Sequence, residues 1–319
     1  MKTLEDFTNF YHAALISDLK ILEQERRKIV SRLISILVVI LCICGACLIF
    51  LMASAETATP FIFIIIILSI LAYAVVCYFM TRGYVARFKS FVIRRIVKFI
   101  DENLNYNASG CIDKTTFISS KIFTTKPNRY KGDDLVWGKT GATQIKFSEI
   151  KAEHESGSGK NRRRYTIFKG LFFIGDFNKH FTCETVVLPD TAEKLFGHFG
   201  QKLQSLNIFR GKLIKLEDPE FESHFVVYGD DQIQARYILS TSLMERIVEF
   251  KKKTSKKIHL SFVNSMVFVA VSYTKSLFEP RIFRTLLDFE PMREYFEDLQ
   301  LAIGIVDDLN LNTRIWSKQ

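Results

Sequence analysis

Charge is missing from two stretches of this 319-residue chain: between Leu33 and Met52, and again between Pro60 and Met80, there is no Asp, Glu, Lys or Arg. About 20 residues at about 1.5 Å rise per residue cross the roughly 30 Å of a bilayer's hydrocarbon core. The absence weighs against a pair of core helices in a soluble protein, because such helices rarely run so far without an ionisable side chain. The stretches read as a transmembrane helical hairpin, joined by Ala53-Ser54-Ala55-Glu56-Thr57-Ala58-Thr59. Lys and Arg are absent from that joining segment as well, whereas Arg26, Arg27, Lys28 and Arg32 precede the first stretch and Arg82, Arg87 and Lys89 follow the second. By the positive-inside rule both termini are expected in the cytoplasm and Glu56 outside. Ala53-Ser54-Ala55 imitates a signal-peptide cleavage site, but a signal peptide lacks the acidic lead of Glu5, Asp6, Asp18, Glu23 and Glu25 and the second span that follows.

Cysteine is scarce where it could form a disulfide framework. Of six cysteines, Cys42, Cys44, Cys47 and Cys77 fall inside the apolar stretches, leaving Cys111 and Cys183 elsewhere, as expected of a chain in a reducing compartment. Cys44-Gly45-Ala46-Cys47 has C-x-x-C spacing, but thiols facing lipid lack the electropositive surroundings that make a thiolate. Helix packing through small residues is the better account. Acidic residues are outnumbered, 34 against 44 Lys plus Arg, and are concentrated after Thr285: Asp288, Glu290, Glu294, Glu297, Asp298, Asp307 and Asp308. The basic part from Asn105 to Arg284 could meet anionic lipid, nucleic acid or that acidic end.

Before the first span, Leu4, Phe7, Tyr11, Ala14 and Leu15 recur at helical spacing; after the second, Val85, Phe88, Val92, Ile96 and Phe99 do the same on a helix expected to run to about Asn103. Because the spans are antiparallel neighbours, these stripes can bury one another as a stalk; a basic helix lying flat on the leaflet is the competing arrangement. The division expected is residues 1–104, a helical membrane hairpin with stalk, and residues 105–319, a cytoplasmic α+β domain. Strands are expected at Ile145–Glu149, Tyr165–Phe177, Glu184–Leu188, Phe221–Tyr228, Ile258–Val263 and Met266–Tyr273, with a loop over Glu153–Asn161. The Tyr165–Phe177 run is apolar on both faces and so belongs inside the sheet. Helices are expected at Ala192–Leu203, capped by Asp190, and at Gln232–Lys253, with an apolar stripe of Ile233, Tyr237, Met244, Ile247 and Phe250. Asn264-Ser265 suggests a tight hairpin. Adjacent strands with segregated helices imply a mainly antiparallel sheet.

Several runs carry a family likeness: Phe7-Thr8-Asn9-Phe10-Tyr11, Tyr130-Lys131-Gly132-Asp133-Asp134-Leu135-Val136, Phe168-Lys169-Gly170-Leu171-Phe172 with Asp176-Phe177-Asn178-Lys179, Leu216-Glu217-Asp218-Pro219-Glu220-Phe221-Glu222, and Val227-Tyr228-Gly229-Asp230-Asp231-Gln232. The chain resembles a bacterial membrane-anchored family catalogued as domain of unknown function 3137. The resemblance implies a bacterial inner-membrane protein with a cytoplasmic domain, and it carries over no catalytic residue.

Chemistry-bearing patterns are few. Gly138-Lys139-Thr140 invites comparison with a phosphate-binding loop, but five residues rather than four separate Gly132 from Gly138, and Thr143-Gln144-Ile145-Lys146-Phe147 reads as a strand where a helix is needed. Glu220, Glu222 and His224 alternate with Phe221, Ser223 and Phe225, so a strand would put them on one face, with Asp218 before and Asp230 and Asp231 after. Hard cations such as Mg²⁺ take such oxygen clusters, although alternation on an exposed strand explains the pattern as well. His154 and His180 have no partner at metal-ligand spacing. Two basic clusters, Arg162-Arg163-Arg164 and Lys251, Lys252, Lys253, Lys256 and Lys257, are either solvated loop ends or, beneath an anionic leaflet, lipid-facing. Nucleic acid ranks lower as a partner, for want of an aromatic platform. The expectation is a membrane-anchored binding or scaffolding module that contacts lipid, a protein partner or another copy of itself, with no cofactor. The alternative is a membrane-tethered metal-dependent hydrolase using the carboxylates around Glu220.

Overall fold

A computed structural model describes residues 2–54, 59–157, 159–177, 179–190 and 211–312. Glu56 and the helix expected over Ala192–Leu203 lie outside these residues. In chain order the helices are α1 Leu4–Phe10, α2 Ile16–Ser54, α3 Thr59–Phe88, α4 Arg94–Ile100, α5 Lys114–Ser119, α6 Pro219–His224, α7 Gln232–Ile238, α8 Thr241–Thr254 and α9 Phe289–Asp308. The strands are β1 Leu104–Asn107, β2 Arg129–Thr140, β3 Thr143–Ser156, β4 Arg163–Asp176, β5 Thr185–Pro189, β6 Lys212–Ile214, β7 Phe225–Gly229, β8 Ile258–Val263 and β9 Met266–Ser272. Two compact units emerge, one of Lys2–Ile93 with Glu279–Glu294, the other of Arg94–Phe278 with the chain from Tyr295 onward.

In the first unit, Thr3 starts α1 through a reciprocal capping box with Asp6. Single π-helical segments, Tyr11–Leu15 and Lys89–Ile93, join α1 to α2 and α3 to α4, so the helix after the second apolar stretch runs to Ile100. The helices α2 and α3 are long and apolar enough to cross a membrane, and their apolar stretches are almost entirely unburied. Ile43, Ile67, Ile70 and Phe79, among others, point outward. Below the stretches the pattern inverts. Phe7, Tyr11, Leu15, Phe88 and Val92 of the expected stripes are buried, while Leu4 is exposed. Arg87 Nε bonds Glu25 Oε2 across the two helices at 3.1 Å.

The second unit is α+β, built on a nine-stranded sheet in the order β1-β2-β3-β4-β9-β8-β5-β7-β6, with every pairing antiparallel. As its two-faced apolar run implied, β4 lies inside, between β3 and β9. Phe172 is packed against Phe117 of α5 at 5.1 Å between ring centroids, and Phe173 stacks near Phe147 on the other side of the pleat. The β8–β9 hairpin turns on Asn264 and Ser265, both at positive φ, as the short polar pair suggested.

Three expectations need correction. The loop assigned to Glu153–Asn161 begins too early: β3 continues to Ser156, and charge pairing across to β4, Glu155 opposite Arg164, carries the ladder outward, leaving the turn around Gly157 and Gly159–Asn161. The strand assigned to Phe221–Tyr228 starts at Phe225, because Asp218 accepts hydrogen bonds from the Glu220 and Phe221 N–H groups and Pro219 opens α6. The long helix from Gln232 is two helices. Leu239 leaves helical geometry and Ser240 begins α8, so Met244, Ile247 and Phe250 are buried while Ile233 and Tyr237 are exposed.

Candidate functional site

The first unit holds a cluster of buried ionised side chains just below the apolar stretches. Glu23 and Arg26 are three residues apart on α2 and therefore face the same way. Arg26 donates from Nε and Nη2 to the two Glu23 oxygens, each at 2.8 Å, and Arg27 Nε adds a third bond at 2.9 Å. Burial would ordinarily raise a carboxyl's pKa, but the Arg26 bonds outweigh it and hold Glu23 at about 2. The pair is not closed on itself. Glu23 Oε2 accepts the Leu286 N–H at 3.0 Å, and Arg26 Nη1 donates to the Ile282 carbonyl at 2.8 Å. Lys89, also buried, pairs with Glu279 at 2.7 Å, and the Tyr11 hydroxyl donates to the Leu287 carbonyl at 3.0 Å. Phe289 packs edge-on to Tyr11 at 5.1 Å. The segment Glu279–Phe289 is thus fastened to the helices by charge-assisted bonds that satisfy its backbone. Glu5, Asp18, Glu23 and Glu25 read in sequence as an acidic lead; the partners that give Glu23 its task lie more than 250 residues away.

The carboxylates singled out around Glu220 are not assembled. On α6 rather than a strand, Glu220 pairs with Lys252 at 2.5 Å, whereas Glu222 accepts the Leu216 N–H at 2.8 Å. His224 ends α6, and its carbonyl accepts the Asp190 N–H. Asp231 caps α7 through the Ile233 and Gln234 N–H groups. Asp230 lies beside Gly211, where a side chain would meet its Oδ1. Glu220, Glu222 and Asp231 thus each engage a local partner.

A different acidic group is brought together where β2 bulges. Asp133 stands opposite Glu149, but the next register pair is Val136 with Phe147, so Asp134 is an inserted residue, at φ +58°. Its carboxylate accepts the Tyr106 hydroxyl of β1, and its N–H bonds the Ala108 carbonyl. Ligand oxygens of Asp133, Asp134 and Glu149 lie within 4.8 Å of one another, which makes this the one such grouping among the described residues. Oxygens so spaced suit a hard divalent cation. One of them also holds the chain after β9, since Glu149 Oε2 takes the Leu277 N–H at 2.8 Å. Gly132 is required by close approach, because a Cβ there would fall 2.5 Å from the Glu149 carbonyl and 2.7 Å from Cys111 Cβ. Burial, then the charges of Asp133 and Asp113, push the Cys111 thiol up, and burial raises the Tyr130 hydroxyl, so neither is poised as a nucleophile. The sequence signal available was Gly132-Asp133-Asp134 interrupting an otherwise strand-like run.

The lysines in the last turn of α8 and just past it are largely engaged. Lys251 caps the helix end by donating to the Lys256 carbonyl at 2.6 Å, Lys253 pairs with Asp308 at 2.8 Å, and Lys256 sits 4.5 Å over the Tyr273 ring. Lys257 is exposed. Of the arginine cluster, Arg162 and Arg164 bond Glu155. Gly138-Lys139-Thr140 lies in β2 and turns through Gly141-Ala142 directly into β3, the strand context that argued against a phosphate loop.

Residues 166–311 match a family described as protein of unknown function (DUF3137). The match upholds the resemblance over that stretch; the runs at Phe7 and Tyr130 precede it. No curated protein sequence matches the chain. Among solved structures, the crystal structure of the mycobacterial trehalose monomycolate transport factor A, TtfA, is similar at 8% identity and a TM-score of 0.33, over 70% of this chain and 97% of that one. A likeness so slight transfers neither fold nor role.

Proposed function

We propose that the chain is a membrane-anchored module of the bacterial inner membrane, with both termini in the cytoplasm, whose α+β unit binds another protein or the leaflet rather than turning over a substrate. The observation that carries this reading is the outward-facing apolar surface of α2 and α3, unburied over the length of a hydrocarbon core. A soluble monomer leaves no contiguous apolar surface of that size in water. Arg27, Lys28, Arg32 and Arg82 ring the same end of both helices, which supports the inward orientation of that end. Reporter fusions test it: one at Glu56 is expected outside the cytoplasm and one after Gln319 inside. A C-terminal reporter active only outside overturns the orientation, and release of the protein by alkaline carbonate overturns the anchoring.

Leaflet contact through Lys251, Lys252, Lys253, Lys256 and Lys257 belongs to the same reading. The internal bonds of Lys251, Lys253 and Lys256 leave it resting chiefly on Lys257 and on surface pairs that an anionic headgroup can compete with. Amine footprinting of the full chain in bilayer discs is expected to protect Lys257 when the lipid is anionic. Equal labelling in anionic and neutral discs removes the lysines from the reading.

A further inference from the structure

The segment from Glu279 to Phe289 is pinned at four points, Glu279, Ile282, Leu286 and Leu287, and it carries an exposed aromatic beside an exposed arginine. The Arg281 carbonyl accepts the Arg284 N–H at 3.1 Å, which makes Ile282 and Phe283 the central residues of a tight turn. Phe283 is 72% exposed, and Arg284 beside it is exposed as well. Arg281 is held back by a two-oxygen contact with Glu294 at 2.9 Å. A single exposed Phe is ordinary on a soluble surface, so Phe283 points to a partner only through its position along the helices.

The attachment points tell where along the helices this turn sits. Arg26, which binds the Ile282 carbonyl, precedes Leu33 by seven residues, about 10 Å of helix. Glu23, which binds the Leu286 N–H, is about 15 Å below Leu33, and Lys89, which binds Glu279, is about 14 Å past Met80. The polar headgroup zone occupies roughly the first 5 to 7 Å outside the hydrocarbon core, and electrostatic attraction to it reaches about a further 8 Å at physiological salt. A turn fastened at this height by buried ion pairs is within reach of the headgroups through its outermost side chains. Membrane-surface segments place Trp, Phe or Leu at the acyl boundary and Lys or Arg beside anionic phosphate.

We propose that the Arg281–Arg284 turn is a membrane-surface contact, with Phe283 lodged among the headgroups of the leaflet from which α2 and α3 emerge and Arg284 beside anionic phosphate. The proposal rests on the anchoring of α2 and α3 in a bilayer. Its consequence is mechanical: a segment remote in sequence from the hairpin touches both the juxtamembrane helices and the lipid, so that lipid composition can act on the chain through it.

The test uses the full chain with Phe283→Trp in bilayer discs whose lipids carry bromine near the headgroup end of the acyl chains. Wild type, with Trp137 and Trp316, sets the background. The added tryptophan is expected to emit at shorter wavelength than a water-exposed one and to be quenched at least twofold more than the background in discs containing anionic lipid. Arg284→Gln in the same chain is expected to reduce that quenching. Water-like emission without quenching, in protein that resists carbonate extraction, overturns the turn contact alone. Loss of the protein to the carbonate supernatant instead overturns the anchoring on which it stands.

Discussion

The two units differ in what they leave outside. In the sheet unit, Phe117, Phe147, Phe172 and Phe173 are inside and most lysines are outside. In the helical unit, Ile43, Ile67, Ile70 and Phe79 are outside, whereas Glu23, Arg26 and Lys89 are buried along with Phe7, Tyr11 and Phe88. Under the membrane anchoring proposed above, the two parts of the chain face different solvents. Lipid tails are as apolar as the side chains that meet them, so outward isoleucine costs nothing there. On that reading water returns just below the bilayer, and there ionised groups pair and are enclosed by packing that the hairpin's ends cannot supply alone. Glu279–Phe289 supplies it.

The comparison is broken most readily at Arg26. Arg26→Ala leaves Glu23 buried with its main partner gone, and the expected loss is about 3–5 kcal/mol, the cost of an uncompensated buried charge. It is measured as a lowered unfolding midpoint in detergent, together with faster proteolysis between Glu279 and Phe289. The same pair sets a pH dependence. The Glu23 carboxyl ordinarily titrates near 4.5 and is held at about 2, so its stabilisation is fully present above about 4.5 and disappears as pH falls through about 2. The linked free energy is roughly 3 kcal/mol. Glu23→Gln is expected to flatten stability across that window; an unchanged acid limb shows that other carboxylates govern it.

A pair of truncations sharpens the contrast between solvents. Phe172→Ala, in the sheet core, is expected to cost about 3–5 kcal/mol. Leu41→Ala, on the outward flank of α2 where Leu41 is 61% exposed, is expected to change stability by less than about 0.5 kcal/mol. A large effect at Leu41 would mean that this flank meets protein, not lipid.

At the β2 bulge, Asp134→Ala removes the acceptor of the buried Tyr106 hydroxyl and is expected to cost about 1–3 kcal/mol. If the domain takes up Mg²⁺, Mn²⁺ or Ca²⁺, calorimetry should show the heat lost in this variant and kept in Glu220→Gln with Glu222→Gln. The reverse result returns the metal alternative to the α6 carboxylates. The smallest effect is expected at Lys252→Gln, which breaks an exposed pair with Glu220 and should alter stability by no more than about 1 kcal/mol.

What could be read without coordinates followed from local physics. The two long apolar helices, the two-faced apolar run of β4 and the Asn264-Ser265 hairpin all come from period and composition within a few residues of the feature, and the structure agrees with each. The misreadings also have local causes. Glu220-Phe221-Glu222-Ser223-His224 alternates as a strand does, yet Asp218 and Pro219 start a helix, and a cap outweighs a short alternation. The break at Leu239-Ser240 was hidden because apolar spacing continues across it.

By itself the sequence determined where the chain can meet lipid, because about 20 uncharged residues admit few other solvents, and it determined the α+β class, because strand and helix periods differ. Only the tertiary structure decided which charges matter. Glu23 is one acidic residue among several until Leu286 and Ile282 arrive from the far end of the chain, and Asp134 is one of two adjacent aspartates until a bulge turns it against Tyr106. A buried charge is defined by the partners that surround it in space, and no pattern of neighbours along the chain encodes a partner 250 residues away.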